Sequence, residues 1–139
     1  MATTLKRVQV MRGDERMPLR VLIVAPERHG QTAVERQLEK TARAGLEVVA
    51  RAYAETHALQ QFFRCAPDLV ILDCDVVPAE PARLVGLLKR MAPGSRIIAV
   101  VPALDSVAAS AARALGADAV GVLADLSALL DGVAAADVI

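Results

Sequence analysis

Residues 67–78 read PDLVILDCDVVP, an apolar run of strand length that ends at Asp73 and is followed by a proline-marked loop. A nearly continuous apolar run is typical of a strand buried on both faces, as in a parallel sheet covered by helices. Ligands and chemistry in such sheets lie at the carboxyl ends of the strands, so Asp73 is the first candidate functional residue. The simpler interpretation is that its carboxylate only caps loop amides where the strand stops.

Strands and helices are predicted to alternate on both sides of this stretch. Short apolar runs predict strands at residues 20–25, 46–52, 96–101 and 119–123. Apolar positions at helical spacing predict helices over residues 31–44, 56–66, 80–91, 105–115 and from 125 onward. The predicted N-caps of the second, fourth and fifth helices are Thr56, Ser106 or Asp105, and Asp125. Gly45 is predicted to end the first helix.

This alternation predicts an α/β fold, because right-handed crossovers bring such strands into one parallel sheet with helices on both faces. The expected architecture is a flavodoxin-like three-layer (βα)5 domain with a five-stranded sheet in the order 2-1-3-4-5. In that order the first and third strands are neighbours at a switch point, and Asp73 lies there.

Composition limits the classes of protein that this chain can belong to. Its 139 residues are enough for one domain with a full core, and 55% apolar residues exclude disorder. No apolar run is long enough to span a membrane, and the first residues lack the apolar core of a secretory signal. Two cysteines are too few for a zinc site, and as unpaired thiols they favour the cytoplasm.

The charge balance argues against nucleic acid as a partner. The chain has 16 basic and 16 acidic residues, so no basic footprint is expected. Only one Tyr and two Phe are present, which disfavours a base-stacking surface. Neither nucleic acid nor a membrane is an expected partner.

Residues 1–18 carry four basic side chains but no sustained apolar period, and Pro18 closes the segment. We predict that they form a flexible tail, followed by a single domain at residues 19–139. The alternatives are a later start, at Met11 or Met17, and a short strand added to the sheet.

Five segments of the chain together resemble the receiver domain of bacterial two-component response regulators. They are LRVLIVAPER, GLEVVARAYAE, APDLVILDCDVVP, APGSRIIAVVPA and ARALGADAVGVLAD, in the order and at the spacing of that family. The resemblance covers residues 19–136 and is nearest to the subfamily that often precedes a helix-turn-helix module. In receivers a histidine kinase donates a phosphoryl group to an aspartate at the end of the third strand, which Asp73 matches.

The sequence departs from the receiver pattern at the other site positions. Where receivers carry two acidic residues that help to hold Mg²⁺, this chain has Ala25 and Pro26. Val101 stands at the Ser or Thr position, Leu123 at the Lys position and Val120 at the aromatic switch position. Phosphoryl transfer depends on positioning and on stabilisation of spread negative charge. The resemblance therefore implies a degenerate site whose apolar walls raise the pKa of Asp73 through desolvation.

Two nearby carboxylates could restore part of a metal site. Glu27 lies one position after the acidic pair of receivers, and Asp75 follows Asp73 by two residues. Mg²⁺ takes one or two carboxylates plus water and substrate oxygens, so Glu27, Asp73 and Asp75 form a candidate residual site. The simpler interpretation of Glu27 and Asp75 is that they are solvated loop carboxylates. We expect no cofactor, and Mg²⁺ only if this residual site works.

The last two helices are rich in alanine. Receivers commonly pair through the face made by the fourth helix, the fifth strand and the fifth helix. We therefore predict an interaction face with Ala108, Ala112 and Val120, and a homodimer through it. High helix propensity on an exposed surface is the simpler account of the alanines.

The function predicted from the resemblance is that of a stand-alone pseudo-receiver, a protein-interaction module in signal transduction that is independent of ordinary phosphorylation and is not an enzyme. One alternative is a phosphoacceptor response regulator that receives phosphate on Asp73 from a histidine kinase. Another is a targeting module similar to the receivers fused to pilus-assembly localisation ATPases. The expected partner is a protein: a histidine kinase, or a signalling or localisation protein.

Overall fold

The computed structural model describes residues 18–25, 32–41, 45–74 and 83–138. Within these ranges strands and helices alternate along the chain. The strands are β1 (Leu19–Val24), β2 (Leu46–Ala52), β3 (Leu69–Asp73), β4 (Arg96–Val100) and β5 (Ala119–Gly121). The helices are α1 (Ala33–Thr41), α2 (Glu55–Cys65), α3 (Arg83–Met91), α4 (Val107–Ala114) and α5 (Leu126–Val138). Residues 1–17 lie outside the described ranges, so the predicted tail stays a prediction.

The five strands form one parallel sheet in the order β2-β1-β3-β4-β5, which confirms the predicted fold. β3 lies at the centre, with Val24 of β1 opposite Leu72 and Val100 of β4 opposite Asp73. The order reverses between β1 and β3, so the carboxyl ends of these strands border a crevice of the kind that binds ligands in open α/β sheets. No helix of the described ranges is long and apolar enough to cross a lipid bilayer.

Two apolar layers cover the sheet, one on each face. Leu22, Leu72 and Leu88 belong to the layer that α2 and α3 close. Ile23 and Ile71 belong to the layer that α1 and α5 close. Leu69, Val70, Ile71 and Leu72 of β3 are all fully buried because their side chains alternate between the two layers. This double burial explains why the central strand has no polar position before Asp73.

Some predicted helix ends are confirmed and others are wrong. Ser106 caps α4, because its Oγ accepts a hydrogen bond from the Ala109 N–H at 3.1 Å. Thr56 is not the cap of α2, since the helix begins one residue earlier and its N-cap, Ala54, makes no side-chain hydrogen bond. The helix C-terminus is also unusual, because Ala66 takes a left-handed conformation with φ 47° before Pro67.

The connection from β5 to α5 also differs from the prediction. β5 ends at Gly121, and Leu123–Asp125 form a turn of 3-10 helix instead of the end of a strand. Asp125 does not cap α5, because this turn runs directly into it and Leu126 is already helical, with φ −56°. Val122 has an extended backbone and takes the N-cap position of the 3-10 turn.

Candidate functional site

Asp73 is the last residue of β3 and is half-buried at the carboxyl edge of the sheet. The next residue, Cys74, donates its backbone N–H to the Val100 carbonyl oxygen at 2.9 Å, so the chain stays beside β4 just past the strand. Asp73 lies two residues after Ile71 and therefore shares the sheet face that α1 and α5 cover. The structure thus places Asp73 at the predicted switch point, between the ends of β1 and β4.

Ala25 lies beside Asp73, one residue beyond the paired Val24 and Leu72. Its backbone N–H donates to the Ala52 carbonyl oxygen at 3.0 Å, and its side chain is fully buried in the α1/α5 layer. This position therefore contributes a core methyl group and no side-chain oxygen. The neighbouring Pro26 and Glu27 lie outside the described residues.

Val101 follows β4 and is 3% exposed. Its backbone N–H donates to the Gly121 carbonyl oxygen at 2.9 Å, and its side chain packs in a cluster with Cys74, Ala109 and Ala112. Valine has nearly the shape of threonine but offers no hydroxyl group. The side chain thus joins the sheet to α4 by apolar contact.

Leu123 lies in the 3-10 turn after β5, where its side chain packs against the α1/α5 layer. The chain has three lysines, at positions 6, 40 and 89. Lys89 is bound at the opposite, amino edge of the sheet, where its Nζ lies 3.1 Å from Asp118 Oδ2 and donates to the Ser95 carbonyl oxygen at 2.8 Å. Lys89 is therefore not a substitute cation for the Leu123 position.

A buried polar network ties α1 to the carboxyl half of β2. The Oγ1 of Thr32 accepts a hydrogen bond from the Glu35 N–H at 3.0 Å, and Oε1 of Glu35 accepts from Thr32 Oγ1 at 3.3 Å. The other oxygen of Glu35 accepts from Arg51 Nε at 2.6 Å. The network was not predicted from the sequence, although T-A-V-E at residues 32–35 has the spacing of a capping box. Because Arg51 is bound to Glu35, its role here is to fix α1 on the sheet.

Solved structures of response regulators and of their receiver domains share this fold. A LuxR-family two-component response regulator from Aurantimonas sp. SI85-9A1 superposes with a TM-score of 0.71 at 19% identity, over 86% of this chain and 86% of its own. A CheY-like receiver domain protein from Methanospirillum hungatei JF-1 gives 0.64 at 22% identity, over 84% and 92% of the two chains. This chain has the receiver fold. It matches no protein-family model and no curated protein sequence.

A third neighbour carries the phosphate analogue and the metal in its own structure. The CheX-CheY-BeF3-Mg²⁺ complex from Borrelia burgdorferi contains a chain that superposes with a TM-score of 0.72 at 16% identity. The match covers 88% of this chain and 94% of that one. At such identities the likeness establishes the shared receiver fold, and the site has to be judged from the residues of this chain.

The described residues do not fit the Mg²⁺ site of a receiver. Mg²⁺ requires near-octahedral coordination by oxygen, normally from carboxylates, water and substrate. Of the three candidate ligands, only Asp73 lies in the described ranges, and the side chains of Ala25 and Val101 beside it supply no oxygen. Those ranges contain no group of three or more His, Cys, Asp or Glu residues that could hold a metal ion. Glu27 and Asp75 lie outside them.

The structure corrects one residue of the predicted interaction face. Ala112 is fully buried, together with Ala109, because these small side chains let α4 lie close to the end of the sheet. Ala108 and Val120 are half-buried against the same cluster. The large apolar side chain that this helix exposes is Val107, which is 86% exposed. Whether this face pairs with a second copy stays a prediction.

Both cysteines are free thiols. Cys74 is buried in the cluster beneath α4. Cys65 is half-buried in the last turn of α2, with its Sγ 3.8 Å from Oε1 of Gln61.

Proposed function

We propose that this protein is a pseudo-receiver, a protein-interaction module of signal transduction that works without ordinary phosphorylation and is not an enzyme. The observation that carries the proposal is the state of the residues around Asp73. The carboxylate occupies the receiver position at the end of β3, while Ala25 and Val101 beside it are core residues, 0% and 3% exposed.

The physical argument concerns the charge of the transferring phosphoryl group. Metal, cation and hydroxyl each stabilise that charge, and removing one such group commonly lowers the rate by roughly 10²–10³. The losses need not add when the groups act as a unit. At Asp73 the residues that supply these groups in receivers are replaced by Ala25 and Val101, which are buried, and by Leu123, which is half-buried against the α1/α5 layer.

The connection between β4 and α4 supports a module with a fixed surface. Ser106 Oγ donates to the Ala103 carbonyl oxygen at 2.6 Å, and Arg113 Nη2 donates to the Leu104 carbonyl oxygen at 3.3 Å. Val101 joins the same region to α4 through buried contacts. A loop held at three points favours a surface that a partner recognises in one conformation.

The partner that we propose is another protein, and we place the module in the cytoplasm. The neighbour from Borrelia burgdorferi was solved in a complex with CheX, so a protein of this fold binds a second protein there. For this chain the candidates are a histidine kinase and a signalling or localisation protein.

Intact-protein mass spectrometry with acetyl phosphate and Mg²⁺ tests the proposal. We expect the wild-type mass to stay unchanged over a time in which an ordinary receiver is fully modified. Asp73→Asn is the variant that identifies the acceptor, and Asp105→Asn, which changes an exposed carboxylate on another loop, is its control.

The half-buried carboxylate of Asp73 is also the observation that favours a second function, that of a phosphoacceptor. A phosphate adduct that is lost in Asp73→Asn and kept in Asp105→Asn would establish this second function. In that case Glu27 or Asp75 would be the residues to test next as metal ligands.

A further inference from the structure

A groove of about 600 Å³ lies at the amino edge of the sheet, on the edge opposite to Asp73. It runs between the C-terminal ends of α2 and α3 and over the starts of β1, β3 and β4. Its apolar lining includes Phe62, Phe63 and Met91. Phe62 is 7% exposed, and its ring contacts the ring of Phe63 edge to face. Phe63 itself is 66% exposed, and Met91 is 44% exposed. Exposed apolar side chains gathered along a groove mark an interaction surface more often than single ones do.

One arginine lines this groove, and three more lie next to its lining residues in the fold or in the chain. Arg96 lines it, and Arg20 Nη1 donates to the carbonyl oxygen of the lining residue Ala66 at 2.9 Å. The last turns of α2 and α3 add Arg64 and Arg90, both exposed and without an ion-pair or hydrogen-bond partner among the described residues. These four arginines lie at one edge of the sheet, which also carries the carboxylates of Asp68 and Asp118.

The acidic side chain that lines the groove keeps its charge and accepts a hydrogen bond from a backbone N–H. Asp68 is the acidic lining residue, and its Oδ2 accepts the Arg20 N–H at 3.0 Å. Two carbonyl groups in the segment after α3 also have hydrogen-bond donors. The Ala92 carbonyl oxygen accepts from Ser95 Oγ at 2.8 Å, and the Ser95 carbonyl oxygen accepts from Lys89 at 2.8 Å. The groove therefore combines an apolar lining with a cationic rim.

We propose that this groove binds an acidic peptide segment of a partner protein, in which leucine or phenylalanine side chains lie between aspartates or glutamates. The apolar side chains would occupy the groove beside Phe63 and Met91, and the carboxylates would meet the arginines. The chain's own residues 1–17 fit this surface poorly, because they carry four basic and two acidic side chains. The site is independent of the state of Asp73, which lies at the other edge of the sheet.

Fluorescence anisotropy with the full chain tests the proposal. The probe is a fluorescein-labelled synthetic peptide with leucine and phenylalanine interspersed among glutamates, and its counterpart has lysines in place of the glutamates. We expect the acidic peptide to bind more tightly than the basic one and to lose affinity as salt is added. Phe63→Ser and the double variant Arg64→Glu, Arg90→Glu should each weaken binding about tenfold or more.

Two matched variants control for general effects of polarity and charge. Leu104→Ser changes an apolar residue that is 52% exposed on the loop before α4, and Lys40→Glu reverses an exposed charge on α1. Neither should change the affinity for the acidic peptide. The proposal is overturned if the acidic peptide does not bind, if the basic peptide binds equally well, or if Leu104→Ser weakens binding as much as Phe63→Ser. It is also overturned if Phe63→Ser dissociates a dimer without changing peptide affinity, because the groove then binds a second copy of the chain. The same holds if the acidic peptide binds only after residues 1–17 are removed, because those residues then occupy the groove.

Discussion

Glu35 is a carboxylate held inside the fold, with a side chain 9% exposed against 45% for its partner Arg51. Its two oxygens accept from Thr32 and Arg51, and its backbone N–H donates to Thr32. Removing one partner of a buried ion pair leaves a charge without compensation, which costs more than the pair itself contributes. The stability of the α1–β2 contact therefore depends on Arg51, although the arginine itself is partly exposed.

We predict that Arg51→Ala lowers the free energy of unfolding by about 1–3 kcal/mol, the usual cost of leaving a buried polar group unsatisfied. Arg64→Ala is the control, because this exposed arginine makes no ion pair or hydrogen bond among the described residues, and its effect should stay within about 0.5 kcal/mol. Urea denaturation measures both. Equal effects of the two substitutions would contradict the role assigned to the Glu35–Arg51 pair. The substitution Glu35→Ala should lower the free energy of unfolding less in the Arg51→Ala variant than in the wild-type protein.

Single residues also show what could be predicted from the sequence and what could not. The position of Asp73 at the carboxyl end of the central strand was predictable, because the abrupt end of an apolar run is a local signal. The burial of Ala25 and Val101 follows from the packing of α1 and α4, which no local pattern specifies. The Thr32–Glu35 capping box was predictable as well, because the spacing T-x-x-E is a local signal. The raised pKa expected for Asp73 stays a prediction.

At the scale of elements, α4 is a short helix that contacts the sheet through alanines. Its inward positions, Ala109 and Ala112, are fully buried, while Val107 points away from the core. A helical stripe of alanines can be either the inner or the outer face of such a helix, since small apolar side chains are common in both settings. The sequence therefore predicted the helix and its cap at Ser106 but not which alanines are exposed.

We predict that Ala112→Glu and Val107→Glu act on different properties of the protein. Ala112→Glu should lower the thermal midpoint sharply, because it places an unpaired charge in the cluster around Cys74 and Val101. Val107→Glu should leave the midpoint nearly unchanged and, if α4 takes part in a homodimer, should weaken that dimer. Thermal unfolding and light scattering separate the two effects. A wild-type protein that is monomeric at high concentration would remove the dimer, and an unchanged midpoint for Ala112→Glu would contradict the buried position.

At the scale of the whole molecule, the two edges of the sheet have different compositions. The carboxyl edge carries Asp73 among core residues, and the amino edge carries the arginine-rimmed groove. The fold was predictable because strands, helices and crossovers are each specified by short sequence patterns. The groove was not, since its lining comes from four helices and strands and the loops beside them, which only the tertiary fold brings together.

Removal of residues 1–17 tests how much the domain depends on its amino-terminal segment. The segment has no sustained apolar period, so we expect the thermal midpoint of the truncated chain to stay within the small range typical of surface changes. Differential scanning calorimetry of both chains is the measurement. A decrease of many degrees would show that the segment packs on the domain or adds a strand to the sheet.

The last prediction concerns communication between the site and the rest of the molecule. A ligand shifts a conformational equilibrium only by its difference in affinity for the two states. Because the described residues beside Asp73 give Mg²⁺ one carboxylate and no further side-chain oxygen, we expect Mg²⁺ and beryllofluoride to leave the backbone amide spectrum of the whole protein unchanged. The amides of α4 are the most informative, since Val101 and Cys74 connect the carboxyl edge to this helix. Saturable shifts at Asp73 that extend to α4, and that Asp73→Asn abolishes, would mean that a working metal site controls this surface. Shifts that Asp73→Asn leaves in place would instead indicate binding elsewhere on the protein.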